Sequence, residues 1–346
     1  MKKMRVKEKK EITFFDDLKR KISNKFYDFS QKIYEKTHKD GKIKKTRTMR
    51  RARRADLLFY ASMIALPLLQ WIIFYVVVHA NSFFLAFKSY TSTGVSTWVG
   101  FDNFRRVWSD LTLKNSALIN AFKNSLLAYA LNFAVLPITI LTPYYIYKKM
   151  PGSEFFKVML FLPSILSGMV MSLLYQYIID KVLPDYMMNA FGIKMPAFLS
   201  DTSTRFWAAW FYMAWFGMGS KVLLYTGTMS RIPVSVVESA KLDGCGPVRE
   251  FLTITFPLIF STASTYFIIG FSDIFTGQLG LYTFFGTNSQ TVQTVGYYLY
   301  RTTLSSSGFE NYPYASALGL FFTAFVAPLT LLLRHYLRKL SPSVDF

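Results

Sequence analysis

The sequence predicts an all-α membrane protein with six transmembrane helices and both termini in the cytoplasm. Three observations point there. Apolar residues make up 52% of the 346 positions and charged residues only 17%, below the roughly 25% usual in soluble domains. Six long stretches contain almost no Lys, Arg, Asp or Glu. Positive charge is also concentrated, with 40 Lys and Arg against 20 Asp and Glu and a net charge of +20. A soluble nucleic-acid-binding protein can be that basic, but it rarely carries 34 Phe and 22 Tyr, so no nucleic-acid partner is expected.

A bilayer core about 30 Å thick needs about 20 apolar residues in helical form, because no water is present to satisfy the backbone. The six candidate spans are Leu57–Phe87, Asn124–Tyr147, Val158–Ile179, Phe206–Ser220, Phe251–Ser272 and Asn311–Leu333. The fourth is the shortest and extends past Lys221 to about Met229. Residues 274–300 are also uncharged but rich in Gly, Thr, Gln, Asn and Tyr. They read as an outside loop, with a partly re-entrant course open to them.

Lys and Arg orient the bundle. Residues 1–55 carry 21 of them against 7 Asp and Glu. With this segment in the cytoplasm, the inside loops are 148–157, 221–250 and the tail from 334, and 31 of the 40 basic residues lie inside. Residues 1–55 are too long and polar for a signal-peptide leader, so the first apolar run reads as a retained anchor. The expected organisation is a basic segment 1–55, a six-span domain 56–340 with a cytoplasmic loop 230–257, and a tail 341–346.

Within the basic segment, Ile12, Phe15, Leu18, Ile22, Phe26, Phe29 and Ile33 recur at helical spacing, with Lys19, Lys21, Lys25 and Lys32 mostly off that face. Such a helix suits an anionic membrane surface or a protein partner, and the pattern does not choose between them. The run from Lys42 to Arg54 reads as a topology anchor.

Several function classes are excluded. Cys245 is the single cysteine, and His38, His79 and His335 are far apart, so neither a disulfide framework nor a zinc site is encoded. No phosphate loop or nucleophile elbow is present. The chain is therefore expected to be no enzyme and to bind no metal or cofactor.

Loop 230–257 is the most informative stretch. Ser235 and Glu238 have the spacing of a capping box behind Pro233, which predicts a short helix over about Val236–Leu242. Gly244 suits the left-handed position that closes it, and Pro247 can open the next helix. Glu238-Ser239-Ala240, three residues, Gly244, nine residues and Ile254-Thr255-Phe256-Pro257 resemble the E-A-A, G, I-x-L-P loop of bacterial ABC importer permeases. Ser239 replaces Ala and Phe256 replaces Leu, both mild changes. Trp98-Val-Gly-Phe-Asp-Asn-Phe104, Phe122-Lys-Asn-Ser-Leu126, Leu162-Pro-Ser-Ile-Leu-Ser-Gly-Met-Val170, Gln293-Thr-Val-Gly-Tyr-Tyr-Leu-Tyr300 and Tyr314-Ala-Ser-Ala-Leu-Gly-Leu320 resemble stretches of the carbohydrate permeases in that family, near the maltose and polysaccharide types.

The resemblance covers roughly residues 57–340. It implies a type I importer bundle in the bacterial cytoplasmic membrane and a carbohydrate solute, with an oligosaccharide favoured. It also implies a second permease subunit, two ATPase subunits that hold ATP and Mg, and an extracytoplasmic binding protein. By resemblance Glu238, Ser239, Ala240, Asp243, Gly244, Ile254 and Pro257 form the ATPase-coupling loop. Rival readings are a permease for glycerol phosphate or an osmolyte, a stand-alone secondary carrier, and a membrane-bound enzyme.

A sugar path needs aromatic faces and hydrogen-bond partners. Trp207, Trp210 and Phe211 share a helix face and suit the interfacial aromatic belt. Trp215 and Phe216 are deeper. Gly217 and Gly219 beside them either open the helix towards a cavity or allow close helix packing. Asp273 reads as a solvated helix end or a path-lining carboxylate. Gln176 and Tyr175 complete the candidates. Few basic residues fall within the spans, which favours a neutral or externally sorted glycan.

Overall fold

The computed structural model describes residues 47–91, 94–289, 291–304 and 309–340, with side chains from residue 56 onward. The amphipathic stretch Ile12–Ile33, the side chains of the Lys42–Arg54 run and the tail 341–346 lie outside those residues. The chain divides into two compact units, Met1–Val78 and His79–Phe346.

In the first unit α1 (Arg47–Trp71) runs into a π-helical turn, Ile72–Val77. The second unit begins at the second residue of α2 (Val78–Leu85), followed by a two-stranded antiparallel hairpin, β1 (Lys88–Tyr90) and β2 (Ser96–Trp98), in which Ser89 pairs with Thr97. Asn103 fastens this hairpin. Its Nδ2 donates to the Ala86 and Lys88 carbonyls at 2.9 and 2.8 Å, which gives the Trp98–Phe104 motif a structural role. Asn103 itself lies in α3 (Asp102–Thr112).

Ser116 caps the long helix α4 (Ala117–Tyr147), its hydroxyl accepting from the Ile119 N–H at 3.1 Å. Then come α5 (Ser153–Ile165), α6 (Gly168–Tyr177), a π turn and α7 (Leu183–Phe191). After these, α8 (Arg205–Phe216) and α9 (Met218–Met229) precede the short α10 (Val234–Leu242) and α11 (Pro247–Glu250). A π turn, Phe251–Thr255, leads into α12 (Phe256–Ser272). The final elements are α13 (Leu281–Phe285), α14 (Val295–Leu304), a 3₁₀ turn and α15 (Tyr312–Leu340).

Among the described residues four helical stretches are long and apolar enough to cross a membrane: Asp56–Leu85, Ala117–Tyr147, Pro247–Ser272 and Phe309–Leu340. They correspond to the expected spans one, two, five and six. A fifth is possible if the pair Ser153–Ile165 and Gly168–Phe191, bent by 110°, counts as one. The bend falls where Leu166 and Ser167 take extended dihedrals, with ψ of 154° and 131°. The expected fourth span is two 12-residue helices that meet at Gly217.

Close helix contact explains the neighbouring glycine. A Cβ on Gly219 would collide with the Leu160 carbonyl oxygen, so α9 lies against α5 at backbone distance. Residues 274–300 are not a loose loop. Leu281, Tyr297, Val295, Thr294 and Ser289 are all buried. The Tyr297 hydroxyl donates to the Gly286 carbonyl at 2.9 Å and accepts from the Ser289 N–H at 3.1 Å. Two stretches read separately in the sequence meet here. Asn124 Nδ2 donates to the Gln293 carbonyl at 2.9 Å, and the Val295 N–H donates to Ser125 Oγ at 2.9 Å. The segment therefore satisfies its polar groups against α4 and folds back into the bundle.

Candidate functional site

Two features of the second unit stand out: a polar-lined cavity and the projecting α10–α11 loop. The helix α10 begins two residues earlier than the capping-box pattern predicts. Pro233 occupies the N-cap, with φ −57° and ψ 130°, and no side chain caps the helix. The proline ring holds φ near the value that the entry needs, so Ser235 lies inside the first turn instead of at its head.

The other end is as expected. Gly244 has φ +76°. The Cys245 N–H donates to the Ala240 carbonyl at 2.9 Å and the Gly244 N–H to Lys241 at 3.0 Å. These two bonds form a Schellman closure. Pro247 then opens α11. The resulting knob exposes Val234, Leu242 and Val248, with Leu242 88% exposed. Glu238, Ser239, Asp243 and Gly244 are exposed as well, while Ala240 is half-buried.

The root of the knob is fastened. Lys148 Nζ forms an ion pair with Glu250, whose side chain is 3% exposed. The Tyr144 hydroxyl donates to the Pro247 carbonyl at 2.9 Å, and the Tyr144 and Phe251 rings lie 4.8 Å apart. Tyr144 and Lys148 belong to the last turn of α4 and its cap, so the knob and α4 are tied at three points. Ile254 and Pro257 follow, within the π turn and the first turn of α12.

A cavity of about 390 Å³ opens between α4, α8, α9, α12 and the 274–294 segment. Helix α4 supplies Ser125, Tyr129, Asn132, Phe133 and Thr139; α8 and α9 supply Met213, Lys221 and Tyr225; α12 supplies Tyr266, Phe267 and Gly270, and Asp273 follows at its C-cap. Gln278 and Thr294 close one side. Hydroxyls, an amide and aromatic rings thus surround one space, the chemistry that binds a polyhydroxylated ligand.

Of the residues singled out in the sequence, Asp273 lines this cavity, and its carboxylate accepts from Thr276 Oγ1 at 3.2 Å. Trp210 lies behind the wall and orients it, donating from Nε1 to Asn132 Oδ1 at 3.1 Å. Trp215 and Phe216 pack against the core cluster formed by Tyr212, Phe284 and Leu281. The Phe216 ring stacks on Tyr212 at 5.5 Å. Tyr175 joins the same cluster and donates to the Ala208 carbonyl at 2.9 Å. Gln176 lines a separate depression with Asp180, Lys181 and Ser200. Gly217 marks the break between α8 and α9. Trp207 and Phe211 are half exposed. The cavity-lining Tyr129, Asn132, Tyr225 and Tyr266 were missed in the sequence because they are scattered over three helices, two on α4 and one each on α9 and α12.

Residues 47–345 match the family model described as the binding-protein-dependent transport system inner membrane component. The chain belongs to that family. As a member it is a multi-pass membrane component of an ABC importer, and the ATPase is a separate subunit. Among curated proteins it is similar to the multiple sugar-binding transport system permease protein MsmF of Streptococcus mutans. The two are 24% identical over 265 residues, covering 75% of this chain and 88% of the relative. The diacetylchitobiose uptake permease NgcF of Streptomyces coelicolor is 25% identical over 77% of this chain and 78% of its own length. Among solved structures, a chain of a bacterial ABC transporter that imports the acidic polysaccharide alginate superposes with a TM-score of 0.67 at 21% identity. That match covers 86% of this chain and all of the other. This last likeness concerns the fold.

Proposed function

We propose that the chain is one transmembrane half of an ATP-driven importer for an oligosaccharide in the bacterial cytoplasmic membrane. It works with a second permease subunit, two ATPase subunits and an extracytoplasmic binding protein. The sugar-transporting relatives support the solute class. In this reading the chain has six spans, with α5–α7 as the bent third and α8–α9 as the broken fourth, and both termini are cytoplasmic.

The observation that carries the reading is the knob. It is a closed short helix with exposed Val234, Leu242 and Val248, rigidly rooted on α4 and continuous with α12. An ATPase groove gripping α10 would move both cavity-lining helices when the ATPase subunits close. That motion would switch the cavity between outward and inward access. Glu238, Ser239, Ala240, Asp243 and Gly244 form the gripped surface, and Ile254 and Pro257 pass the motion into α12. The chain binds no cofactor; ATP and Mg stay on the partner.

Leu242→Asp tests this. The purified chain should keep its fold and membrane insertion, while ATPase co-purification and solute-driven uptake fall. Normal ATPase recovery with normal uptake would refute the coupling assignment. An uptake panel that includes glycerol phosphate and osmolytes separates the carbohydrate reading from its rivals.

A further inference from the structure

The cavity holds a cation that the sequence alone treats as a span-end marker. Lys221 lies in the first turns of α9, eight residues before its end at Met229, which places it about 12 Å into the helix at 1.5 Å per residue. Its side chain lines the cavity. Of the two ion pairs among the described residues, Arg105–Asp102 and Lys148–Glu250, neither involves it. No hydrogen bond from its ammonium reaches another described group. The single carboxylate in the cavity wall, Asp273, is occupied by Thr276 and does not come within ion-pair reach of Lys221.

An ionisable group at depth in a span is costly to keep and is retained where it serves a ligand or a pathway. The same cavity is lined by Tyr129, Tyr225, Tyr266 and Asn132, which offer hydroxyl and amide partners, and by Phe133 and Phe267, which offer ring faces. A neutral glycan could accept hydrogen bonds from the ammonium but would leave its charge without a counter-charge.

We propose that the translocated solute is an acidic oligosaccharide containing uronic acid, and that Lys221 is the residue that receives its ring carboxylate during passage. This rests on the importer reading above and replaces the neutral glycan favoured by the sequence. A flexible four-carbon stem ending in a point charge suits a carboxylate that must be met and then released.

The test uses the whole complex, with its own partner subunits and binding protein, in proteoliposomes. Probes are trimers of galacturonate, mannuronate and guluronate against maltotriose, cellotriose and chitotriose. At least one uronate trimer should stimulate ATP hydrolysis and be taken up. Lys221→Met should lower that uptake at least tenfold, and Lys221→Arg should restore most of it. Recovery of both ATPase and second permease with each variant reports assembly.

Uronate uptake indifferent to Lys221→Met would overturn the proposal, as would a neutral trimer that stimulates where no uronate does. Loss of the second permease from the Lys221→Met complex would assign the ammonium to a subunit contact and also overturn it. If no trimer of either kind were carried, the carbohydrate reading itself would fail, a result distinct from failure of the charge assignment. Should the Lys221→Met chain itself fail to fold or reach the membrane, the comparison of uronate and neutral trimers on the wild-type complex, with Lys221→Arg, still decides.

Discussion

The Lys148–Glu250 pair at the root of the knob allows an asymmetric prediction. The Glu250 side chain is 3% exposed and that of Lys148 is 15% exposed. In Lys148→Met the carboxylate loses its one charged partner while almost fully enclosed, a change that costs about 3–5 kcal/mol when a buried pair is broken on one side. In Glu250→Gln the ammonium keeps the Tyr144 and Tyr147 rings at 5.6 and 5.5 Å. Each such ring contact is worth about 0.5–2 kcal/mol. It also keeps some access to water. That variant should therefore lose about 1–3 kcal/mol, the difference following from the retained rings. Lys148→Met combined with Glu250→Leu removes both charges and should return to within about 1 kcal/mol of wild type.

The measurement is unfolding of the purified chain in mixed micelles with increasing SDS, followed by tryptophan fluorescence and arranged as a double-mutant cycle. Solute-stimulated ATP hydrolysis in the assembled complex provides the functional readout. The double variant should be stable yet less well coupled, because one of the three ties between α4 and the knob is gone. Two results would refute the reasoning. One is a Glu250→Gln variant less stable than Lys148→Met. The other is a coupling energy under about 0.5 kcal/mol, the level seen for independent sites.

Other expectations concern packing and caps. Gly296→Ala would drive a methyl group into the Thr276 carbonyl; overpacking of this kind costs about 1–3 kcal/mol, and a variant with wild-type thermal stability would contradict it. Ser125→Ala strips the Val295 N–H of its acceptor in a buried site, a loss of about 1–3 kcal/mol, visible as faster proteolysis of the 274–294 segment. Gly244→Ala meets open space but must hold φ +76°, so it should lose about 1–2 kcal/mol and weaken ATPase co-purification, while Gly244→Asn should be milder in both assays.

Much of this architecture is legible from residues, but unevenly. The long uncharged runs that became α4, α12 and α15 announce themselves because apolar length is the signal and the backbone stays helical throughout. The third and fourth spans hide their breaks. Nothing in Leu166-Ser167 forbids a helix, and the 110° bend arises from their extended dihedrals in the packed bundle. The uncharged, polar 274–300 stretch reads as an outside loop by composition. Its polar groups are instead consumed by Asn124, Ser125 and one another. The knob shows both outcomes at once. Gly244 closes it as its chemistry requires, whereas Pro233 displaces Ser235 from the capping position. The cavity was least legible. Its polar wall is assembled from residues that are neighbours only in space, and Lys221, taken for a boundary, is part of it.

The five-residue wide turn Phe251–Thr255 has a consequence for how the chain can vary. A π turn holds one more residue than an α turn and so resets the phase of whatever follows by about 100°. Tyr266, Phe267, Gly270 and Asp273 point into the cavity only with that offset in place. Deleting any one residue there would swing the wet stripe of α12 towards lipid while leaving every side chain downstream unchanged. The number of residues in this turn is therefore fixed, alongside the identity of Phe251, which packs on Tyr144, and of the buried Thr255.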